Sequence, residues 1–146
     1  MSTLRLEAEV QTLKTRHPFI IARGGKSEYR TVVVTLRDAD GLEGWGEAAG
    51  IPFYGETPET ALAALQTYAT VLPEHAFDLE AAERRFELAL SGNPGARSAL
   101  SAALHDLVGK RLGVPLWKLW GLDAAKAPRS TFTIGLDTVE KMQAKV

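Results

Sequence analysis

Polar and apolar positions alternate through residues 4–11. Leu4, Leu6, Ala8 and Val10 fall on one side, and Arg5, Glu7, Glu9 and Gln11 on the other. A period of two is the mark of a strand with one buried face. The β-branched run TVVVTL (residues 31–36) ends at the turn-forming DADG, and LEGWGEA follows at once. That order predicts a hairpin. Between the first two strands lies HPFIIARGGKSEY, where Pro18 and the Gly24-Gly25 pair predict a long, flexible loop. Three antiparallel strands in a meander are therefore expected.

From residue 57 the apolar spacing becomes helical. Thr57-Pro58 is a cap followed by proline at the first helical position, with Leu62, Leu65, Ala69 and Leu72 as the inward stripe and Pro73 as the stop. Asp78 caps a second helix, with Leu79, Ala82, Phe86 and Leu90 inward, that ends at Gly92. Asn93-Pro94 opens a third, whose Ala96, Leu100, Ala103, Leu104, Leu107 and Leu112 keep register up to Gly113. PLWKLWG reads as a short fourth helix that Trp117 and Trp120 anchor to the core. Strands first and helices afterwards predict an α+β domain, a three-stranded meander followed by a helical bundle.

DAAKAPRS then reads as a linker, and TFTIGLD as a short buried strand with Phe132, Ile134 and Leu136 on one side. Asp137 or Thr138 caps a helix in which Val139, Met142 and Val146 recur. One strand and one helix make half of a βαβ unit, and a parallel strand needs a partner. The ending reads as a cut.

Composition narrows the function classes. The 146 residues carry 17 basic and 18 acidic side chains with no block of like charge, so a nucleic-acid surface is not expected. Cysteine is absent, which removes disulfides, thiolate nucleophiles and cysteine-based zinc sites, and suits a cytoplasmic protein. No signal peptide or membrane span is expected. His17, His75 and His105 share no ligand spacing.

Three stretches, GLEGWGEAAG, SALSAALHDLVGKRLGVPLWKLWGL and STFTIGLD, occur in the order found in one family. Together they resemble the N-terminal portion of the enolase superfamily, in particular its muconate-lactonizing-enzyme subgroup. HPFIIARGGKSE and TFTIGLD are most similar to the dipeptide epimerases. The resemblance implies an enolase-like N-terminal capping domain over residues 1–125. Residues 126–146 then become a linker and the first βα step of a truncated (β/α) barrel, which lacks on the order of 200 further residues. It implies removal of a proton from a carbon beside a carboxylate, with Mg²⁺ and lysine bases. The lysines and acidic metal ligands match no residue of this chain, so no catalytic or metal-ligating residue is assigned. Lys141 and Lys145 are expected on a solvated helix face. The parent enzyme would be an epimerase or racemase of a dipeptide or N-acyl amino acid, and the fragment itself inactive. Cycloisomerase or o-succinylbenzoate synthase chemistry, and a non-catalytic α+β binding module, are the alternatives. A small-molecule substrate is the expected partner, and a homo-oligomer is compatible with the family.

What the cap contributes is specificity, through loops that close over the barrel mouth and hold the unreactive part of the substrate. In the first such loop, residues 19–26, Phe19 offers an apolar wall. Arg23 offers a fork that matches a carboxylate, as a basic residue does near this position in the dipeptide epimerases, and Lys26 is the fallback cation. In the second, GIPFYGE, Phe53 and Tyr54 are expected at the pocket entrance. Thr133 matches a substrate-contacting threonine of the dipeptide epimerases. Glu47 and Asp106 are read as structural, Asp106 as a buried hydrogen-bonding group.

Overall fold

The computed structural model describes residues 3–22 and 24–145, apart from the side chain of Pro18. Strands β1 (Arg5–Ile21), β2 (Gly24–Arg37) and β3 (Glu43–Ala48) form an antiparallel sheet in sequence order. Helices α1 (Pro58–Ala69), α2 (Leu79–Ala89), α3 (Pro94–Leu112), α4 (Leu116–Leu119) and α5 (Val139–Gln143) follow. The expected α+β order is therefore present. Among the described residues no helix is long and apolar enough to cross a membrane.

The first departure lies between the predicted strands. HPFIIARGGKSEY is not a loop, because β1 and β2 continue past the core as a long two-stranded ribbon. Arg5 pairs with Arg37 at its base, and Phe19, Ile20 and Ile21 pair with Lys26, Gly25 and Gly24 at its far end. Aromatic and β-branched residues on both arms favour the extended backbone. The ladder breaks between Lys14 and Phe19, the stretch that contains Pro18, which has no N–H to donate. The glycine pair lies at the far end of the ribbon, and a Cβ on Gly25 would sit 2.6 Å from the Phe19 carbonyl oxygen.

On the inward face of the sheet, Val32, Val34, Leu36 and Ala48 are buried against Leu65 and Tyr68 of α1 and Leu100, Ala103, Leu104 and Leu107 of α3. The β3 sequence GWGEA explains how α3 comes so near. A Cβ on Gly44 would lie 2.0 Å from the Ala103 carbonyl oxygen, and one on Gly46 1.9 Å from that of Ala99. Neither position admits a side chain without moving the helix. The motif is a packing device.

Helix α1 begins as expected, with Thr57 and Thr60 in a reciprocal capping box. Its buried face is rotated from the expected stripe: Leu65 and Leu72 are buried as expected, but Ala61, Ala64 and Tyr68 also point inward while Leu62 is half-buried and Ala69 exposed. Tyr68 determines that rotation. Its ring packs on Phe86 with centroids 5.5 Å apart, and its hydroxyl donates to the Leu90 carbonyl, so the aromatic takes the deepest position without orphaning its O–H. In α3 the expected residues are buried up to Leu107, but Leu112 is exposed at the helix end. Trp117 and Trp120 do not enter the core either. Both are exposed, Trp120 edge-on to His105 and Trp117 beneath the Lys118 ammonium.

The segment over residues 131–136 is not a sheet strand. The three-stranded sheet does not extend to it, and Phe132 and Leu136 are exposed. Alternation there finds no neighbouring strand to bury its apolar side. Thr138 caps α5 by accepting the Lys141 N–H.

Candidate functional site

Two places gather the predicted residues, and the ribbon builds both. At its far end the Leu136 N–H donates to the Ile20 carbonyl at 2.8 Å. Gly135 is buried in that contact, and a Cβ there would stand 3.0 Å from the Ile20 nitrogen and 3.4 Å from the Phe19 ring. Residues 131–135 therefore lie along the ribbon. Between them is an open hollow of about 460 Å³ lined by Thr15, Arg16, His17, Phe19, Thr131, Phe132, Thr133, Gly135 and Lys145. Phe19 and Thr133, separated by most of the chain, share it.

Lys26 sits opposite Phe19 in the ladder but lines a different hollow, of about 730 Å³, together with Gly50 and Pro52 at the base of the second predicted loop. Arg30 and Glu59 form one of its walls, their ion pair 2.8 Å long. The Glu59 carboxyl is held below its ordinary range, first by a backbone N–H at the start of α1, then by the Arg30 guanidinium and the Thr57 hydroxyl. Phe53 and Tyr54 stand on a 3-10 turn (Pro52–Tyr54), edge to face at 5.1 Å and about three-quarters exposed, outside both hollows. Arg23 lies outside the described residues.

Thr15, Arg16, His17 and Thr131 line the same hollow without being candidates from sequence, because the alternation that marks the first strand fades after Gln11 and His17 opens the stretch that reads as a loop. The signal available was the strand-prone FII and EYRTVVV on either side of a short connection. Lys141 and Lys145 approach Asp137 at 3.3 and 3.8 Å. Glu47 is exposed, whereas Asp106 is half-buried and accepts hydrogen bonds from the Trp45 N–H and the Lys110 ammonium. The hydrogen-bonding role is the expected one, though at the rim of the core and not within it. Among the described residues no three histidine, cysteine, aspartate or glutamate side chains cluster to hold a metal ion.

This arrangement can grip a small polar molecule at the ribbon. It supplies an apolar wall, hydroxyls and positive charge.

Comparison with known proteins agrees with the architecture. Residues 5–121 match the family described as mandelate racemase / muconate lactonizing enzyme, N-terminal domain. An L-Ala-D/L-Glu epimerase of Bacteroides thetaiotaomicron is 38% identical over 91% of this chain and 34% of its own length. That of Escherichia coli is 35% identical over 97% of this chain and 41% of its own. Among solved structures, a dipeptide epimerase of Methylococcus capsulatus complexed with Mg and L-Arg-D-Lys superposes with a TM-score of 0.88 at 32% identity, over 99% of this chain and 42% of that one. A muconate lactonizing enzyme of Pseudomonas fluorescens complexed with muconolactone gives 0.88 at 30% identity, over 99% and 40%. The chain spans between about a third and two-fifths of the length of these relatives. By its motifs, its meander and bundle, and this match, the chain belongs to the mandelate racemase / muconate lactonizing enzyme family, through that family's N-terminal domain.

Proposed function

We propose that the chain is the specificity cap of an epimerase that inverts the α-carbon of a dipeptide or N-acyl amino acid. The observation that carries this reading is its 35–38% sequence identity to L-Ala-D/L-Glu epimerases along almost its whole length. The geometry supports it. The ribbon and the segment around Thr133 meet in one hollow, so a substrate held there touches both the cap and the beginning of the barrel. The proposed division is residues 1–125 as the capping domain and 126–146 as linker and first βα segment of the barrel, in keeping with a family match that stops at residue 121.

Phe19 supplies an apolar wall and Thr133 a hydroxyl in the hollow they share, Arg23 or Lys26 (the latter from the other hollow) the charge that meets a substrate carboxylate, and Phe53 with Tyr54 an aromatic surface at the entrance, outside both hollows. These residues bind and orient the substrate. Orientation accelerates a reaction only if the held geometry approaches that of the transition state. Mg²⁺, present in the solved dipeptide epimerase complex, stabilises the negative charge that develops when a proton leaves the carbon beside a carboxylate. Among the described residues no cluster of histidine, cysteine, aspartate or glutamate side chains fits that ion. A cytoplasmic setting and a small-molecule substrate complete the proposal.

The test is isotope exchange. The protein translated from the complete reading frame, incubated with Mg²⁺ and L-Ala-L-Glu in D₂O, should lose the α-proton NMR signal of the terminal residue. The muconate lactonizing enzyme superposes as well as the epimerase does, so cycloisomerisation is the second reading. Turnover of a muconate without exchange on any dipeptide would select it. No reaction with either would leave the non-catalytic module.

A further inference from the structure

We infer that Glu56 is a positioning residue that locks the Phe53–Tyr54 turn in place by capping helix α3, an inference that rests on the proposed role of that turn at the substrate entrance. The first turn of α3 needs partners for its N–H groups. Asn93 precedes it in the left-handed conformation, with φ 51°, and makes no side-chain cap. Pro94 has no N–H to satisfy. Gly95 does, and its N–H donates to Glu56 Oε1 at 2.7 Å across 39 residues of sequence. The carboxylate thereby sits at the positive end of a 19-residue helix, where negative charge is stabilised. A Cβ on Gly95 would come within 3.0 Å of the same oxygen, so the carboxylate lies directly against the helix backbone.

The other end of Glu56 belongs to the turn. Its backbone N–H and that of Tyr54 both donate to the Ile51 carbonyl, at 3.4 and 2.9 Å, and Gly55 N–H donates to Pro52 at 3.0 Å. At the neck, a Cβ on Gly50 would meet the Glu56 carbonyl oxygen at 3.0 Å. The turn is thus a closed unit whose base is Glu56, and the Glu56 side chain reaches from that base to the helical layer. The residue after it, Thr57, caps α1. One dipeptide therefore joins the aromatic turn to the starts of two helices. A shift of the turn breaks the bond to Gly95, so Phe53 and Tyr54 are held although their rings are exposed.

The experiment measures amide hydrogen exchange and steady-state kinetics on the protein translated from the complete reading frame, as wild type, Glu56→Ala and Glu56→Gln. Glu56→Ala should speed exchange at Gly95, Tyr54 and Gly55 by about 10-fold or more and leave Val32, Val34 and Leu36 unchanged. Glu56→Gln keeps an oxygen that can accept, and should restore most of the protection. On the dipeptide substrate, Glu56→Ala should raise KM by a larger factor than it lowers kcat, with the glutamine variant again in between. Acceleration at Gly95 alone would overturn the inference, because Glu56 would then be a helix cap without hold on the turn. So would equal acceleration throughout the core, or a glutamine variant no better than alanine. A wild type that turns over no dipeptide overturns the epimerase reading, while the exchange pattern at Tyr54 and Gly55 still decides the tether.

Discussion

The Asp106 carboxylate of α3 accepts the Trp45 N–H of β3 at 2.9 Å, across 61 residues of sequence, and the same Oδ2 receives the Lys110 ammonium at 2.6 Å. Trp45 lies on the strand whose other edge pairs with β2, so this N–H has no ladder partner on its open side. Lys110 completes the clasp by donating to the Glu43 carbonyl at 2.8 Å. A helix side chain thus finishes the edge of the sheet.

Removing that acceptor should cost stability without affecting the fold class. Asp106→Ala is expected to lower the unfolding free energy by about 0.5–1.5 kcal/mol, since it removes the acceptor of a strand N–H that water can only partly replace. Asp106→Asn, which retains an acceptor oxygen, should lose less. Urea denaturation of the three proteins gives the comparison, and an alanine variant as stable as wild type would remove the clasp from the account.

The glycines of GWGEA allow a harsher test. Gly46→Ala places a methyl on the Ala99 carbonyl oxygen, and Gly44→Ala places one on that of Ala103. Backbone cannot yield as a side-chain tip does, so each is expected to destabilise by about 2–3 kcal/mol or prevent folding. Glu47→Ala, one residue away and exposed, should stay within about 0.5 kcal/mol of wild type in the same denaturation series.

Hydrogen exchange should separate the core from the segment beyond it. Val32, Val34 and Leu36 are fully buried and laddered on both sides. Residues 131–135 have no ladder, and Leu136 has one bond to Ile20. In the monomeric 146-residue chain, amides of 131–135 should therefore exchange orders of magnitude faster than those of β2, with Leu136 intermediate. Equal protection in a monomer would contradict this contact pattern.

Acid should act on Glu59 late. Its carboxyl titrates below the ordinary 4.5, chiefly through the backbone N–H, then through Arg30 and Thr57. A depressed folded value means that its contribution is present above the unfolded pKa and is lost as pH falls through the lower folded one. An NMR titration of Glu59 should place the midpoint below 4.5. Arg30→Ala should move it upward only part of the way, because the larger cause remains. A full return to the ordinary value would make the ion pair the main cause instead.

Substrate charge tests the proposed cap directly. In the enzyme from the complete reading frame, Arg23→Ala should lower kcat/KM for an Ala-Glu-like dipeptide by about 10- to 100-fold, the range of a lost charge-assisted bidentate contact. An Ala-Leu-like dipeptide should lose far less, and Arg23→Lys should recover part of the loss, since an ammonium keeps charge without the fork. Equal losses on both substrates would remove Arg23 from the carboxylate contact and make Lys26 the next residue to test.

Much of this fold was legible before any coordinates. Strict alternation in residues 4–11, the β-branched TVVVTL, the Thr57-Pro58 cap and the stop at Gly113 each encode a local choice that burial or capping enforces on its own. The motif order carried the family as well, because GWGEA and the helix that faces it occur together. What one dimension could not express was partnership. HPFIIARGGKSEY carries turn residues and strand residues at once, and pairing across the ribbon determines which prevail. TFTIGLD alternates as a strand does, yet beside this sheet it has no neighbouring strand and donates one bond to Ile20. In α1 the periodicity is right and the face is rotated: Leu65 and Leu72 are buried as expected but Ala69 is exposed, because Tyr68 finds both an aromatic neighbour and a carbonyl for its hydroxyl. The meeting of Phe19 with Thr133, and of Glu56 with Gly95, belongs to the same class. Sequence determined which backbone each segment prefers, and tertiary structure decided which segments meet, since a hydrogen bond or a buried face needs a second surface supplied from elsewhere in the chain.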